Sequence, residues 1–454
     1  MGASFMILLA VNWSAIFANI GQFILAFSIL VVLHELGHML PAKWFGCRVD
    51  KFYLFFNPWF SLWKTKKGET EYGLGWIPLG GYVKIAGMMD ESMDKEQMKL
   101  PPQPYEFRAK PAWQRLIIML GGVTVNFVLA LLIFAMILFV WGEERLPTAN
   151  VKYGVSADSL ATASGIKAGD KITAVNGKPL TYFDDLAKGI VLNERVTLSV
   201  NRDGIDTAIL LPKGLLSSLT KTQLRGFVYP RTPVIIKADP EAKYVSGKLQ
   251  PGDQVIALNG VPIAYYDDFL ATKKDLKNTR VTLTVLRNGT DTAQVVATTN
   301  AAAQVGIETR SPYEVLQSEK KEYSFFESIP AGVNYGIERL SDYMTGIRLL
   351  FTSKEHKVSD NLGSVISIGK TFGGVWDWHR FWTMTALFSI ILAFMNILPI
   401  PALDGGHALF TIYEMITGRK PSDKFMEYAQ MAGMALLLGL MLYAFGLDIW
   451  RMFR

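Results

Sequence analysis

Apolar residues gather in four long runs along the chain: about 15–40 (IFANIGQFILAFSILVVLHELGHML), 116–141, 381–403 and 428–449. Each run is long enough for the roughly 20 helical residues that cross a bilayer, so the pattern predicts four transmembrane helices. Between the second and third runs the period changes from helical to two. Val196-Thr-Leu-Ser-Val200 and Val281-Thr-Leu-Thr-Val285 alternate as half-buried strands do. The same region repeats itself. IKAGDKITAVNGKPLTYFDDL (166–186) returns 83 residues later as LQPGDQVIALNGVPIAYYDDF (249–269), and RVTLSVNRDG (195–204) returns 85 residues later as RVTLTVLRNG (280–289). Asn176-Gly177, Asp203-Gly204, Asn259-Gly260 and Asn288-Gly289 are hairpin-turn dipeptides. Each repeat therefore predicts a small, mostly β domain with one short helix near FDDL or YDDF. The loop after the first run carries strand-like writing in VDKFYLFF and WFSLWKTKKGETEYGLGWIPLGGYVKI, with turn signals at Lys67-Gly68 and Gly80-Gly81. Apolar strands beside a membrane helix predict β-hairpins that dip into the bilayer, where such backbone is tolerated only when buried in protein or lining a cavity.

Composition agrees with a membrane protein. Half of the 454 residues are hydrophobic, 19% are charged and the mean hydropathy is +0.22, so the net charge of +6 does not point to a nucleic-acid partner. One cysteine, Cys47, excludes an internal disulfide and a cysteine-rich metal site. Residues 1–14 hold no Lys or Arg, so a cleavable signal peptide is not expected. The positions of the cations set an orientation. Twelve Lys and Arg fall in 41–115, and Arg419, Lys420 and Lys424 fall in 404–427, whereas the N-terminal tail has none and the C-terminal tail has Arg451 and Arg454. By the positive-inside rule the first and third loops face the cytoplasm. Both termini and the long connection 142–380 are then expected outside.

Polar chemistry interrupts the first run. His34-Glu35-Leu36-Gly37-His38 is HExxH on a helix, and its i, i+4 spacing puts both imidazoles on one face, able to share a metal ion such as zinc, with Glu35 beside it as general base. A catalytic zinc takes three protein ligands and keeps a position open. Candidates for the third ligand are Asn126, Asn396, Asp404 and His407. Asp404 is favoured, because a carboxylate is a good ligand and Pro399 and Pro401 break the helix before it. An N-cap role for Asp404 is the competing explanation, and the two are compatible.

HELGH, the spacing Gly122 to Asn126, and NILPIPALDGG from Asn396 to Gly406 together resemble the site-2 protease family of intramembrane zinc metalloproteases. The repeats resemble PDZ domains through GD-x-I-x-x-(V/L)-NG-x-P, and two of them between the second and third of four spans is the layout of the RseP-type branch. The resemblance runs nearly end to end. It implies an α-helical membrane protein with four transmembrane helices, a membrane-associated β-hairpin region and two tandem PDZ-like domains inserted between spans two and three. The implied division is 1–145 (spans one and two with the hairpin loop), 146–228 and 229–311 (PDZ-like domains), 312–380 (an amphipathic extracytoplasmic linker) and 381–454 (spans three and four). It also implies zinc held by His34, His38 and Asp404, Glu35 as catalytic base, and Asn396 holding unwound substrate backbone. The expected substrates are single-span membrane proteins, such as a trimmed anti-sigma factor or remnant signal peptides. An upstream site-1 protease would cut first. The expected setting is a bacterial inner membrane, with the PDZ-like domains and both termini periplasmic and the active site near the cytoplasmic side. Val123, YLFFNPWF and DNLGSVISIGK (360–370) depart from the family's usual stretches, as does Lys248 of the second repeat, where the first has Gly165. A catalytically silent PDZ-type scaffold and a metal transporter are the alternatives. The intact Glu35 argues against the first, and the gathering of polar residues at one depth argues against the second.

Overall fold

The structure, a computed structural model, describes residues 13–88, 101–215, 219, 227–237, 245–246, 249–352 and 363–452. The N-terminal tail, Lys95, Lys99, Lys248, residues 360–362 and Arg454 lie outside them. Internal contacts divide the chain into two compact units, one of 1–142, 322–344 and 362–454, the other of 143–321 and 345–361.

The first unit contains four helices long and apolar enough to cross a membrane. Helix α1 (Trp13–Trp44) runs through Pro41 and ends one turn beyond the predicted run. It is followed by strands β1 (Val49–Phe56), β2 (Trp63–Lys67), β3 (Thr70–Leu74) and β4 (Ile77–Ile85). Helix α2 (Ala112–Trp141) starts after Pro111, whose missing N–H costs nothing at a helix entry, and stops at Gly142 with φ +73°. Helix α3 (Phe325–Thr352) lays Gly336 against Leu131 and Phe134 of α2. The short α4 (Val365–Lys370) is tied to the last helix by Asp448, which accepts hydrogen bonds from both Ser364 and Ser367. Helix α5 (Trp378–Ile397) packs on α2, and the Ser389 hydroxyl donates to the Asn126 carbonyl at 2.7 Å. An unwound stretch from Leu398 to Leu403, holding Pro399 and Pro401, leads into α6 (Asp404–Thr417) and then α7 (Asp423–Met452). The third apolar run is therefore a helix only as far as Ile397. Asp404 is the first residue of α6 rather than its cap, which is Leu403.

The first-loop strands form one sheet in the order β2-β3-β1-β4, with β1 parallel to β3 and antiparallel to β4. The turn at Lys67-Gly68 forms as predicted, between β2 and β3. Gly80-Gly81 is not a turn but the middle of β4. The strand is irregular there, with Gly80 at φ +155° and a shift of register between the Leu54–Gly81 and Phe56–Ile77 pairs, and it is pressed between two elements. A Cβ on Gly80 would lie 2.7 Å from the Phe56 ring, and one on Gly81 would lie 2.6 Å from Val31 of α1.

The second unit contains the repeats, each with its own buried apolar cluster. In the first, the strands order 205–210, 197–202, 171–175, 178–179, and the helix Asp185–Val191 begins within FDDL. In the second, Gln254–Leu258, Arg280–Arg287 and Asp291–Thr298 form the centre of the sheet, and the helix Tyr266–Lys273 begins within YYDDF. All four predicted dipeptides sit at turns with positive φ at both residues. The repetition extends to an ion pair that sequence reading did not anticipate. Arg202 bridges Asp170 at 2.7 Å and Arg287 bridges Asp253 at 2.7 Å, each joining the Arg of the RDG or RNG turn to the Asp of the GD turn. Burial alone would raise the Asp170 carboxyl. The hydrogen bonds from Arg202 and the Lys167 backbone outweigh it and hold the carboxyl below its ordinary value. Arg287 lowers Asp253 against the effect of burial.

Because both carboxyls titrate lower in the folded state, their contribution is complete above the unfolded value of about 3.9 and is lost as pH falls through the folded value. Asp170→Asn and Asp253→Asn are each expected to destabilise their own repeat by about 1.5–3 kcal/mol. They are also expected to flatten its loss of stability below pH ~4. Hydrogen exchange of 197–202 and 280–287 in the full-length protein measures both effects.

Candidate metal centre

Two helices and a loop bring the candidate ligands together. The HExxH residues lie in the second half of α1, where Gly37 meets Gly121 of α2 so closely that a Cβ on Gly37 would stand 2.5 Å from the Gly121 carbonyl oxygen. Contact between the two backbones sets the histidine rings over Gly122, at which any Cβ would overlap His38 Nε2 and lie 2.6 Å from His34 Cε1. Asp404 arrives from the third and fourth span region because α5 ends at Ile397 and the unwound stretch carries the chain across.

His34, His38 and Asp404 are the group of metal-capable side chains found among the described residues. The three atoms form a nearly equilateral triangle, with His34 Nε2 and His38 Nε2 3.2 Å apart, and Asp404 Oδ2 3.3 Å from the first and 3.4 Å from the second. Zinc bonds to such atoms are about 2.0–2.1 Å, and a tetrahedron of that size has edges of about 3.3–3.4 Å. Asp404 Oδ2 is buried without a hydrogen bond, facing the two imidazole nitrogens. An orphaned carboxylate oxygen against two nitrogen lone pairs is unfavourable in isolation and fits a divalent cation.

Outer contacts fix which ring nitrogen faces the centre. His38 Nδ1 donates to the Ile118 carbonyl at 2.8 Å, leaving the Nε2 lone pair for a metal. His34 Nδ1 lies 3.3 Å from the Asn126 side-chain amide. The Nδ2 end of the amide faces that nitrogen and Oδ1 has no partner; with Nε2 of His34 turned to a metal, Nδ1 carries the proton, and turning the amide over lets Oδ1 accept it. Asn126 is thus a partner of a histidine rather than a member of the triangle. His407 lines the adjoining cavity, one turn beyond Asp404, and is also outside the triangle. The Ile118 carbonyl has no signature in sequence, since any residue could supply it. Gly122 and Asn126 were legible as a spacing but not as a cradle and a hydrogen-bond partner.

The triangle opens on a cavity of about 430 Å³ lined by Glu35, by Gly81 to Ile85 of β4, and by Ala402 and Leu403. Val83 of β4 and the Glu35 carboxylate line this cavity together. Asn396 is half-buried in the last turn of α5 and is not among the residues lining this cavity.

Residues 22–440 match peptidase family M50. The chain belongs to that family, the site-2 proteases. Relatives of similar length surround it. The regulator of sigma-E protease RseP of Escherichia coli is 27% identical over 468 residues, covering 94% of this chain and 97% of its own. Metalloprotease MmpA of Caulobacter vibrioides is 27% identical over 456 residues, covering 93% of each. A Treponema pallidum protein whose name includes the words zinc metalloprotease is 27% identical over 454 residues, covering 94% of this chain and 97% of its own. As an M50 peptidase the protein is a zinc metalloprotease, and the donor set of two imidazoles and one carboxylate suits that metal.

The outer contacts give a direct expectation. Gly122→Val is expected to abolish zinc retention by displacing both rings, and Asn126→Ala to weaken zinc affinity about 10–100-fold. Zinc content and chelator competition on the purified full-length protein measure this. Retention equal to wild type in both variants contradicts the assigned contacts.

Proposed function

We propose that this M50 peptidase cleaves the transmembrane segments of single-span membrane proteins, with zinc held by His34, His38 and Asp404 and with Glu35 as the catalytic base. The observation that carries the proposal is the triangle of ligand atoms, with Glu35 next in the chain and on the same cavity. When bound, zinc acidifies water and stabilises negative charge developing on a peptide carbonyl oxygen. Glu35 accepts the proton of the attacking water and returns it to the leaving amine.

A substrate helix hides its carbonyls in its own hydrogen bonds and must be unwound before attack. β4 is the edge strand of its sheet and lines the cavity, so an extended segment can add to it through main-chain hydrogen bonds. Asn396 is proposed to hold another part of the unwound backbone through its side-chain amide. The two repeats are proposed to be PDZ-like domains, within 146–228 and 229–311, that face the periplasm and exclude substrates not yet trimmed by an upstream site-1 protease. The 312–380 segment is proposed as the extracytoplasmic link, leaving 1–145 and 381–454 as the membrane part. The charge distribution supports a bacterial inner-membrane orientation with both termini outside and the active site near the cytoplasmic side. Anti-sigma factors and remnant signal peptides are the proposed substrate classes.

Glu35→Gln is expected to lower cleavage of a single-span substrate at least about 100-fold while zinc content stays at the wild-type level. Cleavage that survives this substitution overturns the assignment. Deleting 150–310 is expected to speed cleavage of an untrimmed substrate, and an unchanged rate removes the gating role.

A further inference from the structure

We propose that the ion pair between Arg115 and Glu414 is a positioning device for the metal centre. It fixes α6, and with it Asp404, against the same helix that holds the two histidines. The inference rests on the reading of Asp404 as a ligand and adds two residues to it. Arg115 Nη2 donates to Glu414 Oε1 at 2.5 Å, with the side chains 9% and 21% exposed, and the two residues are 299 apart in the chain. Arg115 is held in turn by the Lys110 carbonyl, to which Nε donates at 3.0 Å.

The pair adds a directional polar tie to the apolar packing of α6, which lies along α2 and meets the Phe425 ring of α7 through Phe410. At its N-terminus α6 is gripped by the unwound stretch, since a Cβ on Gly406 would lie 2.5 Å from the Ile400 carbonyl oxygen and 2.7 Å from the Pro401 Cα. Apolar packing farther along the helix is non-directional and specifies the helix's rotation about its own axis only weakly. Glu414 lies about 15 Å along the helix from Asp404. An ion pair there specifies that rotation, and with it the direction in which the Asp404 side chain leaves the helix. The anchor on α2 is equally placed. Arg115 is one turn before Ile118, whose carbonyl holds His38, and two turns before the Gly122 cradle. Ligands from α1 and α6 are thereby referred to one element, α2. A tight metal triangle tolerates little error, and contacts outside the ligand shell commonly set affinity. A pair with so little exposure has a desolvation penalty that offsets much of its attraction, so net stability alone is a poor reason to keep it.

The test is zinc affinity by chelator competition on the folded full-length protein in detergent, with thermal unfolding of the zinc-free form measured beside it. Glu414→Gln, nearly isosteric, and Arg115→Ala are expected to weaken zinc affinity about tenfold or more. The double exchange Arg115→Glu with Glu414→Arg is expected to recover most of that loss. Asp404→Ala serves as the reference. Zinc affinity at the wild-type level in both single variants, beside its loss in Asp404→Ala, overturns the positioning role and leaves the ligand reading intact. A double exchange that fails to recover affinity although its zinc-free form melts with wild type also overturns it. Unchanged affinity in Asp404→Ala overturns the ligand reading and the inference with it.

Discussion

The contact on which the site depends is the meeting of two backbones, α1 at Gly37 and α2 at Gly121. Helices in a bilayer gain little from the hydrophobic effect on associating, and small residues let them pack by direct backbone contact. Here that closeness has a chemical consequence. With side chains absent at Gly121 and Gly122, the imidazoles of His34 and His38 lie on the surface of α2 itself. They reach a backbone carbonyl at Ile118 and an amide at Asn126, which orient them. A longer distance between the helices would leave both rings turning freely in a cavity.

The second constraint is that helix must be given up where α5 ends. Pro399 and Pro401 stop the helix, and the chain runs extended until Asp404 opens α6. A continuous helix would present Asp404 on whichever face its period dictated. The break lets the carboxylate approach the histidines while Asn126 and Ser389 keep α5 on α2. Polar groups at this depth are costly unless paired. At the site, Asn126 Oδ1 and Asp404 Oδ2 are buried without a hydrogen bond, and the Asp404 oxygen is the one that a cation answers.

Much of this was legible in the sequence because its signals are local. Four apolar runs, two turn-rich repeats and an i, i+4 pair of histidines each depend on neighbours within a few residues. The choice of Asp404 over Asn126, Asn396 and His407 rested on its carboxylate and on the proline break, again local features, and Asp404 does stand with the two histidines in the structure. What escaped was contact between distant segments. The turn signal at Gly80-Gly81 was misread because the same dipeptide serves a strand squeezed between Phe56 and Val31. The pairing of Asp170 with Arg202 and Asp253 with Arg287 lay inside the repeat, but nothing in either stretch named the other as its partner. The parallel pairing of β1 with β3 is likewise invisible to alternation, which reports faces and not neighbours.

X-ray absorption at the zinc edge of the purified full-length protein tests the central claim most directly. The account predicts a first shell of nitrogen and oxygen only, at about 2.0–2.1 Å, with outer scattering from two imidazoles and the loss of one oxygen donor in Asp404→Asn. A sulfur in the first shell would implicate Cys47, the single cysteine. That result, or a third imidazole, or a spectrum unchanged by Asp404→Asn, would contradict it.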